Sequence, residues 1–249
     1  AGALSGAVSE TASGTSGGPT VNVLVIAPHP DDEVLGCGGT IHRLAGQGHR
    51  VTVAIATRGW SPLYSPESVE QVRDEARRAS DHLGVAELRF LDLPVTQLKD
   101  LPAHKINKVF ADLLEGCRPD LLLLPFPADR HEDHRQVFLA ASVAARPTAG
   151  TTRPGTVACY ETPSETHWHA PGVEPPFDPT WFVDITDHLE AKLAGLQCYE
   201  SQVSDGSAPP ARLPEAVASL ARWRGANVGL GAAEAFVIVR RVTAATEPT

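Results

Sequence analysis

The chain has 249 residues, 42% of them hydrophobic, and a formal net charge of -9. This length fits one large domain or two small ones, and the apolar fraction is enough for a sizeable core. The acidic balance argues against a nucleic-acid partner and against anionic membrane surfaces, because both favour basic patches. No apolar run reaches the roughly 20 residues that a membrane-spanning helix needs.

The first 20 residues are small and polar and carry almost no anchoring hydrophobic side chains. This composition predicts a disordered tail over 1–20. The segment has neither the basic start nor the long apolar core of a signal peptide, so we expect a cytoplasmic protein. No shift in composition divides the rest of the chain, which favours one domain over 21–249.

Apolar runs alternate with helical patterns along the rest of the chain. We predict strands over 21–26, 51–57, 88–93, 120–125, 157–160, 181–185 and 235–239. We predict helices over 33–47, 67–83, 103–117, about 133–145 and 187–200. This alternation predicts an α/β fold of Rossmann-like, three-layer type, with a mostly parallel sheet and helices on both faces.

One long irregular segment, 161–180, contains five prolines and the sequence His167-Trp168-His169. Long ordered loops in compact domains are often functional, so we interpret this segment as a lid. Trp168 is then a candidate substrate contact, or a residue that simply packs. Trp60 follows the second predicted strand, at the same edge of the sheet as the ionisable clusters below, and is a second candidate substrate contact.

The sequence PHPDDE at 28–33 lies where the first strand ends and the first helix begins. Ligands of open α/β sheets bind at such carboxyl ends of strands. One imidazole, His29, beside the carboxylates of Asp31 and Asp32 is costly unless a cation joins them, and a metal ion is the simplest candidate. Alone, an Asp pair at a helix start is often only a cap.

A second cluster, His131-x-Asp133-His134, follows the apolar strand at 120–125. A catalytic zinc site needs three His or carboxylate ligands and an open position for water. The two clusters together offer as candidate ligands His29, Asp32 and His134. The side chains left for proton transfer and support are Asp31, His131 and Asp133.

Two other functions compete with a metal enzyme. Gly36-x-Gly38-Gly39 after the first strand suggests a nucleotide-dependent oxidoreductase, but the G-x-G-x-x-G register fails because residue 41 is Ile. Two carboxylates beside these glycines would also repel a pyrophosphate. A non-catalytic metal-binding or sugar-binding module is the second alternative.

The paired motifs, together with Arg73-x-Glu75 and Glu234-Ala235-Phe236, resemble the LmbE/PIG-L family of zinc-dependent N-acetylglucosamine deacetylases over about 21–240. The resemblance implies metal-dependent hydrolysis of the N-acetyl group of an N-acetylglucosamine conjugate, giving acetate and a free amino sugar. Glu132 stands where the family often has proline, a position that should not touch the metal. A deacylase of another amide substrate is the alternative within this chemistry.

The resemblance also implies roles for single residues. Zn²⁺, or another divalent transition metal, would be held by His29, Asp32 and His134. Asp31 matches the general base, and a protonated His131 matches the general acid and oxyanion stabiliser, with Asp133 orienting it. Asp31, once protonated, is the alternative general acid. Arg73 matches an arginine that contacts substrate. The implied partner is a small glycoconjugate, such as a glycopeptide-antibiotic intermediate or a thiol-cofactor precursor, and a homo-oligomer is compatible with the sequence.

Overall fold

A computed structural model describes residues 20–147, 154–168, 172–203 and 208–242. The tail predicted over 1–20 therefore lies outside the described residues, except for Thr20. The strands are β1 (Asn22–Ala27), β2 (Arg50–Arg58), β3 (Glu87–Pro94), β4 (Leu121–Pro125), β5 (Thr156–Tyr160), β6 (Trp181–Asp184) and β7 (Ala233–Arg241). The helices are α1 (Asp32–Gly46), α2 (Pro66–His82), α3 (Ala103–Cys117), α4 (Glu132–Ala144), α5 (Leu189–Gln197), α6 (Glu200–Val203) and α7 (Pro214–Ala226).

The seven strands form one sheet in the order β3-β2-β1-β4-β5-β7-β6. The five strands from β3 to β5 are parallel, whereas β7 runs antiparallel to both β5 and β6. The predicted α/β fold with a mostly parallel sheet is thus confirmed. The strand order reverses between β1 and β4, which is the point where ligands of doubly wound sheets bind.

Strand β1 is buried on both faces, as its β-branched apolar sequence predicts. Leu24 and Ile26 pack on one side with α3 and α4. Val23, Val25 and Ala27 pack on the other side with α1 and α2. The centre of the sheet is therefore a rigid platform, and the loops that follow β1 and β4 start from fixed positions.

Two features differ from the predicted elements. The helix predicted over 187–200 is divided into α5 and the short α6, and α7 was not predicted at all. The sequence of α7, PEAVASLARWRGA, has a weak apolar stripe, because its buried side includes Ala218, Ala221 and the charged Arg224. Arg224 is satisfied by two hydrogen bonds to the Glu161 carboxylate, at 2.8 and 2.6 Å. Within the described residues, no helix combines the length and apolarity needed to span a bilayer.

Candidate metal centre and active site

The site lies beyond the carboxyl ends of the neighbouring strands β1 and β4. Strand β1 ends at Ala27 and α1 starts at Asp32, while β4 ends at Pro125 and α4 starts at Glu132. The two predicted clusters occupy these two connections, so the reversal of strand order brings them together. Residues about 100 positions apart in sequence now share hydrogen bonds, as between the side chains of His29 and Asp133.

The three candidate metal ligands converge on one carboxylate oxygen. Asp32 Oδ2 lies 3.2 Å from His29 Nδ1 and 3.2 Å from His134 Nε2. Asp32 and His134 are fully buried, and His29 is the most exposed of the three. Two imidazoles and one carboxylate with an open side match the ligand set of a catalytic zinc site, and also that of a non-haem iron site.

Unpaired polar atoms support a cation at this position. Among the described residues, Asp32 Oδ1 is buried and has no hydrogen-bond partner, and the buried His134 Nε2 makes no hydrogen bond beyond its 3.2 Å contact with Asp32 Oδ2. Leaving such atoms unpaired in a dry site is costly, and a bound cation would satisfy both. A second group, His29, His131 and Asp133, is also close enough to share an ion. His131 Nδ1 is already occupied there by the backbone N–H of Asp133, at 3.2 Å, so we favour the first group.

Each histidine of the favoured group is held by a second carboxylate. Asp129 Oδ2 lies 2.8 Å from His134 Nδ1, and Thr166 Oγ1 donates to the other oxygen of Asp129 at 2.6 Å. Asp133 Oδ2 lies 3.2 Å from His29 Nε2 and accepts the backbone N–H of Thr96 at 2.7 Å. Such carboxylates fix the tautomer of a metal-binding imidazole and raise its basicity. Although burial acts to lower it, the pKa of His134 is raised to about 10 by Asp32 and Asp129. His134 Nε2 is therefore protonated toward Asp32 in the metal-free protein, and a bound cation would replace that proton.

Asp133 therefore has more contacts than the sequence indicates. Its carboxylate hydrogen-bonds to His29, while its Oδ2 lies 4.0 Å from His131 Nδ1. Its link to His131 is the backbone N–H, which donates to Nδ1. This bond places the proton of a neutral His131 on Nε2. The predicted orientation of His131 by Asp133 thus has a geometric basis in the backbone of Asp133, and its side chain serves His29.

His131 lines the open side of the site. Burial, followed by the nearby His29 and His134, lowers the pKa of His131 to about 4. The imidazole is therefore neutral near pH 7, whereas the family resemblance implies a protonated one. The contribution available from this geometry is a hydrogen bond donated by neutral Nε2–H.

Asp31 has an unusual backbone conformation. Its φ of 99° lies in the left-handed region that a residue with a side chain rarely adopts, and such strain is often found at functional sites. The backbone N–H of Asp31 donates to Glu33 Oε2 at 3.2 Å, and Tyr199 Oη donates to the other oxygen of Glu33 at 2.5 Å. Burial raises the pKa of Asp31 to about 7, although the nearby Arg212 acts to lower it. A carboxyl group with this pKa can both accept and release a proton near neutral pH.

Arg212 is a site residue that the sequence analysis missed. Its Nη1 lies 3.2 Å from Asp31 Oδ2, and its Nε donates to Ser164 Oγ at 2.8 Å. Its Nη2 lies 3.5 Å from Glu165 Oε1. Arg212 ends a single 3-10 turn, Pro210–Arg212, and stands 181 positions after Asp31. No local motif marks it, and only tertiary structure brings it to the site.

The segment interpreted as a lid begins as part of the scaffold. Thr162, Ser164 and Thr166 are buried, and this stretch holds Asp129 from one side and Arg212 from the other. Trp168 is 62% exposed and lies outside the lining of the cleft described next. His169 lies outside the described residues, and the lid function stays a prediction.

A cleft of about 330 Å³ opens in front of His29 and His131. Its walls come from the end of β2, from α2, β3 and α6, and from Arg212. Arg73 lines this cleft, as expected of a substrate contact, with its guanidinium 3.9 Å from the centre of the Phe90 ring. Trp60 instead lines a neighbouring depression, and its Nε1 donates to the carbonyl of Val95 at 3.0 Å.

The glycines of α1 serve packing and form no phosphate cradle. A Cβ on Gly36 would lie 2.2 Å from the Tyr160 ring, and one on Gly39 would lie 2.9 Å from Ile185. Both glycines therefore allow α1 to approach its neighbours closely. The start of α1 carries Asp32 and Glu33, both buried. This arrangement disfavours the nucleotide-dependent alternative.

Comparison with known proteins agrees with the geometry. Residues 24–145 match the model of the family described as PIG-L, GlcNAc-PI de-N-acetylase. A diacetylchitobiose deacetylase of Thermococcus kodakarensis is 32% identical over 192 residues, which cover 72% of this chain and 69% of that protein. The N,N'-diacetylchitobiose deacetylase of Pyrococcus horikoshii superposes with a TM-score of 0.69 at 27% identity, covering 87% and 83% of the two chains.

The same fold also occurs in the A40926 pseudoaglycone deacetylase Dbv21. That structure superposes with a TM-score of 0.71 at 22% identity and covers 91% of this chain and all of that one. At this identity the likeness establishes the fold alone.

Proposed function

The chain belongs to the PIG-L family of de-N-acetylases, and from this premise we propose that it is a zinc-dependent hydrolase of N-acetylglucosamine conjugates. The proposed products are acetate and a conjugate with a free amino sugar. The observation that carries the proposal is the convergence of His29 and His134 on the buried carboxylate of Asp32, whose Oδ1 has no hydrogen-bond partner among the described residues. When bound there, zinc would polarise an acetyl carbonyl and lower the pKa of a coordinated water.

Asp31 is the proposed general base. It lies beside the ligand Asp32, and one of its carboxylate oxygens, Oδ1, is buried without a partner among the described residues. With a pKa of about 7 it takes a proton from the attacking water and returns it to the departing amine. Arg212 contacts the other oxygen, Oδ2, so it orients the carboxylate and keeps part of it ionised at neutral pH.

His131 is the proposed oxyanion donor. Its Nε2–H is set by the hydrogen bond that Nδ1 accepts, and the ring lines the cleft in which the acetyl group would lie. A neutral donor of this kind stabilises negative charge that develops on the carbonyl oxygen in the transition state. No proton transfer from His131 is needed, because Asp31 carries the proton through both steps.

The substrate proposal is an N-acetylglucosamine unit with a further group attached. The cleft volume of about 330 Å³ falls at the lower end of the range for small-molecule sites, which extends from about 300 to 1,000 Å³. A second depression of about 310 Å³ continues from it past Tyr64. Room of this kind suits a disaccharide or a glycoside, and an antibiotic intermediate stays one of the candidate conjugates.

The test is acetate release from N,N'-diacetylchitobiose, followed together with the metal content of the purified protein. We expect turnover that is lost on dialysis against a chelator and restored by Zn²⁺, and a melting temperature that rises with Zn²⁺ because the metal binds the folded state. An Asp32→Ala variant should lose both responses. Turnover that survives removal of all metal would refute the zinc mechanism. Bound zinc without deacetylation of any N-acetyl sugar would instead support a binding module.

A further inference from the structure

The lining of the cleft is cationic although the protein is acidic. Three arginines line it, Arg58, Arg73 and Arg212, and no Asp or Glu does among the described lining residues. The net charge of the whole chain is -9. A positively charged wall in a protein of net negative charge favours a negatively charged ligand.

The three arginines differ in how firmly they are paired. Arg212 is held by Asp31, Ser164 and Glu165, and so belongs to the catalytic end of the cleft. Arg73 Nη1 donates to Asp92 Oδ1 at 2.6 Å.

Arg58 has the loosest contact, since its Nη2 lies 3.8 Å from the Glu70 carboxylate. The side chain of Arg58 is 49% exposed and that of Glu70 is 60% exposed. The guanidinium of Arg58 is thus the one most available to a ligand.

Arg58 is one strand away from the metal ligands. It ends β2, which pairs with β1, and Thr57 donates its backbone N–H and its hydroxyl to the carbonyl of Pro28, at 3.1 and 2.8 Å. Pro28 directly precedes His29. Arg58 also lines both the cleft and the neighbouring depression, so it stands where a group attached to a bound sugar would pass.

The wall around Arg58 is ordered by packing. The carbonyl of Arg58 accepts the backbone N–H of Val95 at 3.1 Å, and Tyr64 donates its backbone N–H to Trp60 at 3.0 Å. The ring of Tyr64 lies so close to Gly59 that a Cβ there would be 2.9 Å from the ring. The partly exposed Tyr64 ring therefore lies in the same wall as the loosely paired guanidinium of Arg58.

We propose that Arg58 and Tyr64 form a subsite for the aglycone of the conjugate, and that this aglycone carries a carboxylate. The inference rests on the proposed deacetylase function. A single guanidinium offers two parallel N–H donors, which match one carboxylate. The Tyr64 ring, with the apolar side chains of Val69 and Val72, covers the rest of the aglycone.

The test uses two glycosides of N-acetylglucosamine that differ only in charge: the 4-carboxyphenyl and the 4-carbamoylphenyl glycoside. For the zinc-loaded protein we expect a KM about fivefold lower for the carboxylate, the size of effect that a half-exposed ion pair allows. Arg58→Gln should remove this preference and leave the KM of the carbamoyl glycoside within about twofold. Arg50→Gln is the matched control, because Arg50 lies at the opposite end of the same strand and is similarly exposed.

Equal KM values for the two glycosides, or a preference that survives Arg58→Gln, would overturn the subsite. Turnover of the carbamoyl glycoside reports on the deacetylase function separately. If neither glycoside is hydrolysed, their Kd values for the wild-type protein and for Arg58→Gln test the subsite without turnover. An equal Kd for both glycosides would then refute it.

Discussion

Two buried ionic clusters lie along the same helix, α1, and they differ in how completely their atoms are paired. At its start, Asp31 Oδ1 and Asp32 Oδ1 are buried and have no hydrogen-bond partner among the described residues. Further along, α1 is kinked at Cys37, and a second cluster joins it to α5 and β7.

The ionic groups of the second cluster are paired with each other and with the backbone. Lys192 Nζ donates to the carbonyl of Leu35 at 2.9 Å and to Glu234 Oε1 at 2.5 Å. The Glu234 carboxylate also accepts the backbone N–H groups of Gly39 and Thr40, at 2.9 and 2.7 Å. These bonds satisfy the backbone groups that the kink releases.

The contrast separates ionic groups that stabilise the fold from those that await a ligand. Both clusters take charges out of water, which is unfavourable unless every atom finds a partner. The Lys192–Glu234 cluster finds its partners within the chain. In the cluster at the start of α1, some polar atoms have no hydrogen-bond partner within the described residues, and Asp31 has a strained backbone conformation. Both features are expected of a site preorganised for a metal and a substrate. Substitutions in the two clusters should therefore affect different properties.

The largest effect is expected from Asp31→Asn. Loss of the general base should lower kcat about 10²- to 10⁴-fold, or about 3–5 kcal/mol in the barrier, with unchanged zinc content. Steady-state deacetylation and metal analysis of the same preparation provide the measurement. A variant that retains more than about a tenth of wild-type turnover would show that Asp31 is not the base.

Asp31→Asn lowers activity, but it should not lower the stability of the metal-free protein. The folded-state pKa of about 7 lies above the usual 3.8, so the folded protein binds more protons than the unfolded chain between these values. Its stability therefore falls as the pH rises through that window. Asn cannot ionise, so at pH 8 the metal-free variant should be at least as stable as metal-free wild type in urea. A clear loss of stability would mean that Asp31 has a structural role instead.

Lys192→Met should have the next largest effect, and it should lower the free energy of unfolding without changing catalysis. It leaves the Glu234 carboxylate buried without its cation and should cost about 3 kcal/mol in the free energy of unfolding. Zinc binding and the KM of the folded protein should stay near wild type. Lys108→Met, which breaks the exposed pair with Asp112, is the control and should change stability by less than about 0.5 kcal/mol. Equal effects of the two substitutions would remove the distinction between the clusters.

The sequence brings the three candidate metal ligands together because each cluster is local. His29 and Asp32 lie at the connection from β1 to α1, and His134 lies in the first turn of α4. Each of these places follows an apolar strand that can be recognised by composition. Parallel strands align their carboxyl ends at one edge, so proximity of the clusters follows from fold class alone. The same reasoning does not bring Arg73 into the site, because Arg73 lies on the neighbouring helix α2.

The supporting contacts could not be predicted in this way. Whether Asp133 reaches His29 or His131 depends on side-chain directions at one turn of α4, and sequence spacing does not determine these. Arg212 comes from a short turn before α7, a helix whose small and charged residues hide its buried face. Such contacts depend on tertiary packing between distant segments, for which periodicity carries no information.

The smallest predicted effect concerns Arg212, and it tests how the site at the start of α1 controls its own base. The positive charge of Arg212 lowers the pKa of Asp31, so Arg212→Gln should raise that pKa. Because the base acts in its ionised form, the acid limb of the kcat/KM profile should move to higher pH, with little loss of activity on the alkaline side. Arg212→Lys keeps the charge and should restore much of the wild-type profile. If the acid limb does not move in Arg212→Gln, Arg212 has no electrostatic effect on the base, and its contacts with Ser164 and Glu165 serve only to hold the cleft wall.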